Sequence, residues 1–471
     1  PPPPSLRPGR MPAVAHRAGL ASEASLMRLW RPAARQGLVL RMAENLGDTP
    51  SWEELFDRLP LNKRRALKQG PPKEEAGEGP VILFRDSAGE CPDCARVWLA
   101  LLEKGVAFDE KLVAAGGEEA YPAILWDGGF VRGWRACVDY LEQVIPEVPL
   151  LPPASSGDRE AAEEMLERAE VLAERLPPGA LTPRDEAGVL AMAGPVEAFL
   201  GEKGGVFACG ESFSLADVAL VPGIMRLETE AVILDPTSPL IRARPDLPNL
   251  ARWLDAMETR VSSLQSRVGT DPLSRALLMA NSVEAGEKPE VAQGAARAVA
   301  SLASAQDWRL VLAEAVPPPW TNFARRYPSV AKTPKLEAAA FLVASKQSVV
   351  AALAAKTPEI FHGASRPRQD SESGLESRPD LAVRLVVTAL ADAPDYGSSP
   401  TFANTFLSTL ISDLSTDALR EVSECLAELR CGSVLLAPRD IGPEPLRILR
   451  AHAAWVAIQV AKALKKRAPA E

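Results

Sequence analysis

The run Val81-Ile-Leu-Phe84 and, after six residues, Cys91-Pro-Asp-Cys-Ala-Arg-Val-Trp-Leu-Ala-Leu-Leu-Glu-Lys-Gly105 decides the fold. Val81–Phe84 is a short apolar run of buried-strand type. Cys91-Pro-Asp-Cys94 follows at a turn. Ala95–Lys104 then places Val97, Leu101 and Leu102 at helical spacing, and Gly105 stands where a helix C-terminus wants a residue of positive φ. The next strand is expected over Val106–Leu112. Tyr121–Trp126 and Phe130–Val131 read as two strands joined by a tight Asp127-Gly-Gly129 turn, and Trp134–Glu142 as a second helix. Strand, helix, strand, then two strands and a helix, is a β-α-β then β-β-α order, that of an α/β domain.

Working outward, Pro146–Pro153 is a proline-rich connector, and only helical patterns follow: Asp158–Leu176, Asp185–Leu200, Ser214–Leu227 and Asn249–Thr259. Asp158 and Ser214 are good N-caps. Ser214-Leu-Ala-Asp217 reads as a capping box, in which each side chain satisfies the other's backbone amide. Further Ala/Leu-rich helices are expected near 291–315, 335–355, 380–392, 400–413, 415–430 and 443–465, divided by a polar loop over Ser365–Asp380. The expected organisation is therefore residues 1–78 as targeting segment and linker, 79–150 as the thioredoxin-like domain, 151–265 as an all-helical domain, and 266–471 as a further all-helical extension. Within the first of these, a short helix is expected at Trp52–Leu59 and a linker over Gln69–Pro80.

Composition narrows the function classes. A net charge of −9 without a basic domain argues against a nucleic-acid partner. No run of about 18 uncharged apolar residues occurs, so no membrane span is expected. A peripheral surface contact remains readable in the terminal helix Ala453–Leu464, which ends in Lys465-Lys466-Arg467; a packed helix with a solvated basic end is the plainer reading. Six cysteines with only His16, His362 and His452 give no Cys/His zinc spacing, and no metal is expected. Residues 1–42 hold seven arginines against one acid, Glu23, the composition of an organelle transit peptide or of a basic tail.

Two places carry chemistry. Cys91 would stand at a helix N-terminus, where free amides and the helix dipole stabilise a thiolate, and Cys94 one turn inward would resolve a mixed disulfide. Pro92 suits the first helical turn, while Glu90 and Asp93 disfavour the thiolate. The pair also reads as two small residues opening a helix. Tyr121-Pro122, ahead of a strand, is either a cis proline beside a ligand groove or a trans proline at a strand start.

These residues resemble the glutathione-transferase superfamily. Cys91–Gly105 looks like the first helix of its thioredoxin-like half, with cysteine where the omega, dehydroascorbate-reductase and glutaredoxin-like members carry one. Phe213-Ser-Leu-Ala-Asp-Val-Ala-Leu220 is similar to the family's capping box, and Pro245-Asp-Leu-Pro-Asn-Leu-Ala-Arg-Trp-Leu254 to its terminal helix. Ser266-Arg-Val-Gly269 and Ala437-Pro-Arg-Asp-Ile-Gly-Pro443 look like the long helical extension of some algal, plastid-type members. The resemblance implies glutathione as cosubstrate, Cys91 as nucleophile, Cys94 as its resolving thiol, Tyr121 and Pro122 beside the cysteinyl part, and a homodimer. It also implies a glutathione-dependent thiol transferase or oxidoreductase in a plastid. Where the family carries an acid and a serine to grip the γ-glutamyl group, this chain has Gly133 and Trp134, so the ligand contacts expected here are Trp134, filling the pocket, and Arg135 beside it, offering its charge to a carboxylate. That departure keeps a second expectation open: a catalytically silent scaffold or accessory subunit of a larger plastid complex, such as one of the photosynthetic membrane, with residues 266–471 contacting a protein partner. A carrier for an apolar ligand beside Trp134 is a third.

Overall fold

The computed structural model describes residues 49–59, 81–86, 91–113, 121–153, 158–175, 186–234, 241, 244–268, 311, 315–327, 330–356, 378–392, 401–431 and 441–467. The arginine-rich segment 1–42, the linker over Gln69–Pro80, and most of the expected helix near 291–315 and loop over Ser365–Asp380 lie outside them.

The first helix, α1 (Trp52–Arg58), is capped by Ser51, whose hydroxyl accepts from Glu54 N while Glu54 returns a bond to Ser51 N. β1 (Val81–Asp86), α2 (Pro92–Glu103), β2 (Phe108–Val113), β3 (Ala123–Trp126), β4 (Gly129–Arg132) and α3 (Trp134–Val144) then build one four-stranded sheet of order β2-β1-β3-β4. β1 and β2 are parallel, joined through α2, whereas β3 runs antiparallel to β1 and to β4. The β3–β4 turn has positive φ at both Asp127 and Gly128, as a two-residue hairpin requires. α2 ends as the sequence foretold: Gly105 takes φ +73°, and Gly105 N and Val106 N bond back to Leu102 O and Leu101 O. It begins at Pro92 with Cys91 as N-cap, the helix N-terminus at which the sequence placed Cys91.

Helices α4 (Arg159–Arg175), α5 (Glu186–Gly201), α6 (Leu215–Leu234) and α7 (Pro248–Arg260) pack against this unit in one continuous apolar core that runs from Leu83 and Val97 to Val218 and Trp253. The connector is tied at its root by a buried ion pair. Lys104 Nζ lies 2.7 Å from Glu142 and donates to Ile145 O and Val148 O, while Glu142 accepts from Leu150 N and Leu151 N. The capping box at Ser214 is realised in altered form. Ser214 N donates to Asp217 as expected, but the Ser214 hydroxyl also turns its proton to that carboxylate, and Asp217 N bonds to Ser214 O. The other oxygen of Asp217 accepts from Ala208 N and from the indole of Trp253. Asp217 thus ties a loop, a helix start and the last helix together.

Beyond α7 a π-helical turn (Leu264–Val268) leads to the extension: α8 (Pro318–Arg326), α9 (Pro334–Ala344), α10 (Lys346–Lys356), α11 (Arg378–Asp392), α12 (Thr401–Asp413), α13 (Thr416–Cys431) and α14 (Pro443–Arg467). The one helix expected over 335–355 is two, bent by 74° at Ser345. Helices α9 to α14 enclose a second core, and Leu55 and Leu59 are buried in it. α1 is held there by Trp52 Nε1, which donates to Asp380, and by Arg384, which donates to Thr49 O and Pro50 O. The residues placed by sequence ahead of the thioredoxin-like half therefore serve the far end of the chain. α8 belongs to the first core through Phe323. Tyr327 and Arg326 cap the C-terminal carbonyls of α2: the Tyr327 hydroxyl lies 2.7 Å from Leu102 O, and Arg326 reaches Leu102 O and the Glu103 carboxylate. The two segments singled out in the extension touch, since a Cβ on Gly442 would stand 1.8 Å from Ser266 O. Among the described residues no single helix is long and apolar enough to cross a membrane.

Candidate functional site

Cys91 and Cys94 meet Asp86 at the C-terminal end of β1. Cys91 is half-buried and Cys94 fully buried, and both are free thiols. The Cys91 sulfur accepts from Cys94 N at 3.4 Å, and the Cys94 sulfur accepts from Asp86 N at 3.4 Å. Asp86 closes the triangle by accepting from Cys91 N at 3.2 Å. One donor atom from each of the three lies within 4.8 Å of the others.

This geometry splits the two thiols. The Cys94 thiol donates to the Cys91 sulfur and lowers the Cys91 pKa below its ordinary value, aided by Cys94 N, although burial and the Asp86 charge work against it. The Cys94 pKa is raised by the same bond, by burial and by the Cys91 charge. The geometry therefore favours the thiolate at Cys91 and the protonated thiol at Cys94. Cys137, buried behind the sheet, is pushed up to about 12 by desolvation and is inert.

The other sequence-expected residues fall around this pair. The Tyr121–Pro122 bond is cis, and Pro122 O accepts from Gly133 N at 2.9 Å. Desolvation, and then the negative charge at Cys91 and Asp86, raises the Tyr121 hydroxyl above its ordinary pKa. Trp134 opens α3 with its ring under the Arg96 guanidinium, 4.8 Å from centroid to Cζ. Gly133 is the N-cap at φ +81° and supplies no side-chain cap. A side chain there would be strained, and neither Gly133 nor the Trp134 indole supplies a carboxylate or a hydroxyl. Arg135 turns away: it pairs with Asp139 at 3.0 Å and Glu170 at 2.8 Å.

Two residues were not singled out from sequence. Asp86 ends a strand whose reading stopped at Phe84, and its role depends on the turn that brings Cys91 back to it. Arg96 is largely buried, pairs with Asp93 at 2.6 Å, and reaches Ala219 O on α6. It thereby joins α2, α3 and α6 beside the thiol.

Residues 153–256 match the glutathione S-transferase C-terminal domain family. The matched residues follow the four-stranded unit and include α4, α5, α6 and most of α7. No curated protein matches the chain. Among solved structures, the chain is similar to glutathione transferase Omega 3C from Trametes versicolor, with 21% identity over 42% of this chain and 90% of that one, TM-score 0.33. It is similar to a glutathione S-transferase from the Antarctic clam Laternula elliptica, with 20% identity, 39% and 89% covered, TM-score 0.30. It is also similar to rice GST1, solved in complex with glutathione, with 22% identity, 38% and 88% covered, TM-score 0.32.

Proposed function

We propose that this transferase-like chain is a thiol–disulfide oxidoreductase in which Cys91 attacks and Cys94 resolves. The observation that carries the reading is the split between the two thiols: a half-exposed sulfur with lowered pKa that accepts from Cys94 N, and a buried partner one helical turn inward. The Cys91 thiolate attacks one sulfur of a disulfide R–S–S–R′, forms Cys91–S–S–R and expels R′–S⁻. Cys94 gives its proton to the Asp86 carboxylate or to water and attacks the Cys91 sulfur. R–S⁻ leaves, and the Cys91–Cys94 disulfide remains until two external thiols reduce it. Each step conserves sulfur bonds and electrons.

Glutathione is the thiol the family offers. Cys91 and Tyr121 suit its cysteinyl part, but Gly133 and Trp134 give no side-chain grip on its γ-glutamyl end. Glutathione therefore binds weakly here, through its backbone and thiol.

The test uses the reduced full chain with glutathione disulfide and intact-mass analysis. The expected product is a Cys91–Cys94 disulfide, with a glutathione adduct trapped at Cys91 in Cys94→Ser and none at that site in Cys91→Ser. Unmodified Cys91 in the Cys94→Ser variant would end the oxidoreductase reading. A second reading, a protein-assembly role in a plastid complex, draws on the separate core of the extension. It requires residues 266–471 to hold a protein partner while the thiols stay silent. The arginine-rich residues 1–42 support organelle import, which a fusion of that segment to a fluorescent protein tests by where the fusion accumulates.

A further inference from the structure

The triangle of Asp86, Cys91 and Cys94 has the donors and the spacing of a metal site, although the cysteine and histidine spacing in the sequence pointed to none. The thiol sulfurs and a carboxylate oxygen lie within 4.8 Å of one another. Each sulfur already accepts one backbone N–H, from Cys94 and from Asp86, which stabilises anionic sulfur without using all its lone pairs. Asp86 is held in place because it accepts from Cys91 N. Asp86 and Cys94 are 6% and 2% exposed, so two donors come from a dry wall; Cys91 is half-exposed and faces the solvent side.

We propose that reduced Cys91 and Cys94, together with Asp86, bind a thiophilic divalent ion of the Zn²⁺ kind, leaving one coordination position open beside Cys91. Two thiolates and a carboxylate make three negative charges in a poorly solvated corner. A dication offsets most of that charge, which a monovalent or oxygen-seeking ion would not do with sulfur donors. Three protein donors and one open position are the arrangement of sites that exchange a ligand, as opposed to closed structural sites. Binding releases the two thiol protons. Metal capture at this place rests on the dithiol reading proposed above, because it needs both sulfurs reduced. A disulfide oxidant then ejects the ion: two metal-bound thiolates and R–S–S–R give the Cys91–Cys94 disulfide, two R–S⁻ and the free dication. The same pair would be a redox-gated metal site.

The test is titration of the reduced full chain with Co²⁺, followed by displacement with Zn²⁺. Expected is one equivalent of Co²⁺ with a sulfur-to-cobalt charge-transfer band, lost in Cys94→Ser and bound at least about tenfold more weakly in Asp86→Asn. Glutathione disulfide should discharge the ion as the Cys91–Cys94 disulfide forms. Circular dichroism separates a lost ligand from a misfolded variant, and the two variants remove different donors. Absence of a thiolate band at about millimolar Co²⁺, or binding unchanged in either folded variant, overturns the proposal. If the wild-type chain forms the disulfide yet binds no ion, the metal site fails and the oxidoreductase stands. If the ion binds yet no disulfide or mixed disulfide forms, the oxidoreductase reading fails instead.

Discussion

Asp217→Ala removes the acceptor of four hydrogen bonds from a fully buried position. Ala208 N and Trp253 Nε1 each lie 2.8 Å from one carboxylate oxygen, and Ser214 N and Oγ lie 2.9 and 2.8 Å from the other. Hydrogen bonds to a charged acceptor contribute about 1.5–3 kcal/mol each, and a buried donor left without a partner costs about 1–3 kcal/mol. The four are not additive, and part of the gain is offset by burying the carboxylate, which raises its pKa. The expected net loss is therefore roughly 3–5 kcal/mol, a large share of the about 5–15 kcal/mol that a folded protein typically has. Asp217→Asn should lose less, since its oxygen keeps one pair of donors and its amide can donate to the Ser214 hydroxyl. Urea unfolding followed by circular dichroism and tryptophan fluorescence reads the loss as a shift in midpoint. A shift for Asp217→Ala worth under about 1 kcal/mol would refute the claim that this carboxylate joins the loop, the start of α6 and α7.

Three further outcomes follow from the same structure. His452 is buried, bonded to Ile448 O and facing Lys335, and its pKa is lowered from 6.5 to about 4, mainly by desolvation. The unfolded chain binds its proton first, so the contribution is intact above pH 6.5 and disappears as the pH falls toward 4; relative to His452→Gln, the wild type should lose roughly 3 kcal/mol over that range in urea titrations. Gly442→Ala forces a methyl to 1.8 Å from Ser266 O, and a lower melting midpoint equivalent to about 1–3 kcal/mol is expected by calorimetry. Leu55→Ala should cost about 2–5 kcal/mol of the extension's stability by urea unfolding, because Leu55 is fully buried in the second core although it precedes the first strand.

What was legible in the sequence was local. Gly105 and Asp127-Gly128 announced positive φ, Cys91-Pro92 announced a helix start, and the period of the apolar residues gave α4, α5 and α7 within one position at each end, while α6 runs seven residues past the expected Leu227. Contacts between distant segments were not legible. The bend at Ser345 lies inside one apolar run with no internal proline or glycine, so packing decides it. Pro317-Pro318-Pro319 reads as a breaker, yet Pro318 and Pro319 occupy the first turn of α8, where a missing N–H costs nothing. In the site, Cys91, Cys94, Tyr121 and Pro122 were visible as motif residues. Asp86 and Arg96 were not, because an ordinary strand-end acid and an ordinary helical arginine acquire a role only when the turn and α6 close on them. Arg135 shows the reverse: its place beside Trp134 suggested a ligand contact, while Asp139 one turn on and Glu170 on α4 were there to engage it.

The central claim is that Cys91 is an activated thiolate. The direct measurement is the rate of iodoacetamide modification of Cys91 against pH, in the reduced full chain, by peptide mass spectrometry. The account predicts that the rate rises through a midpoint below the ordinary thiol value of 9.0, with Cys94 and Cys137 unmodified at that pH. A Cys91 midpoint at or above 9.0, or Cys94 reacting first, would contradict it.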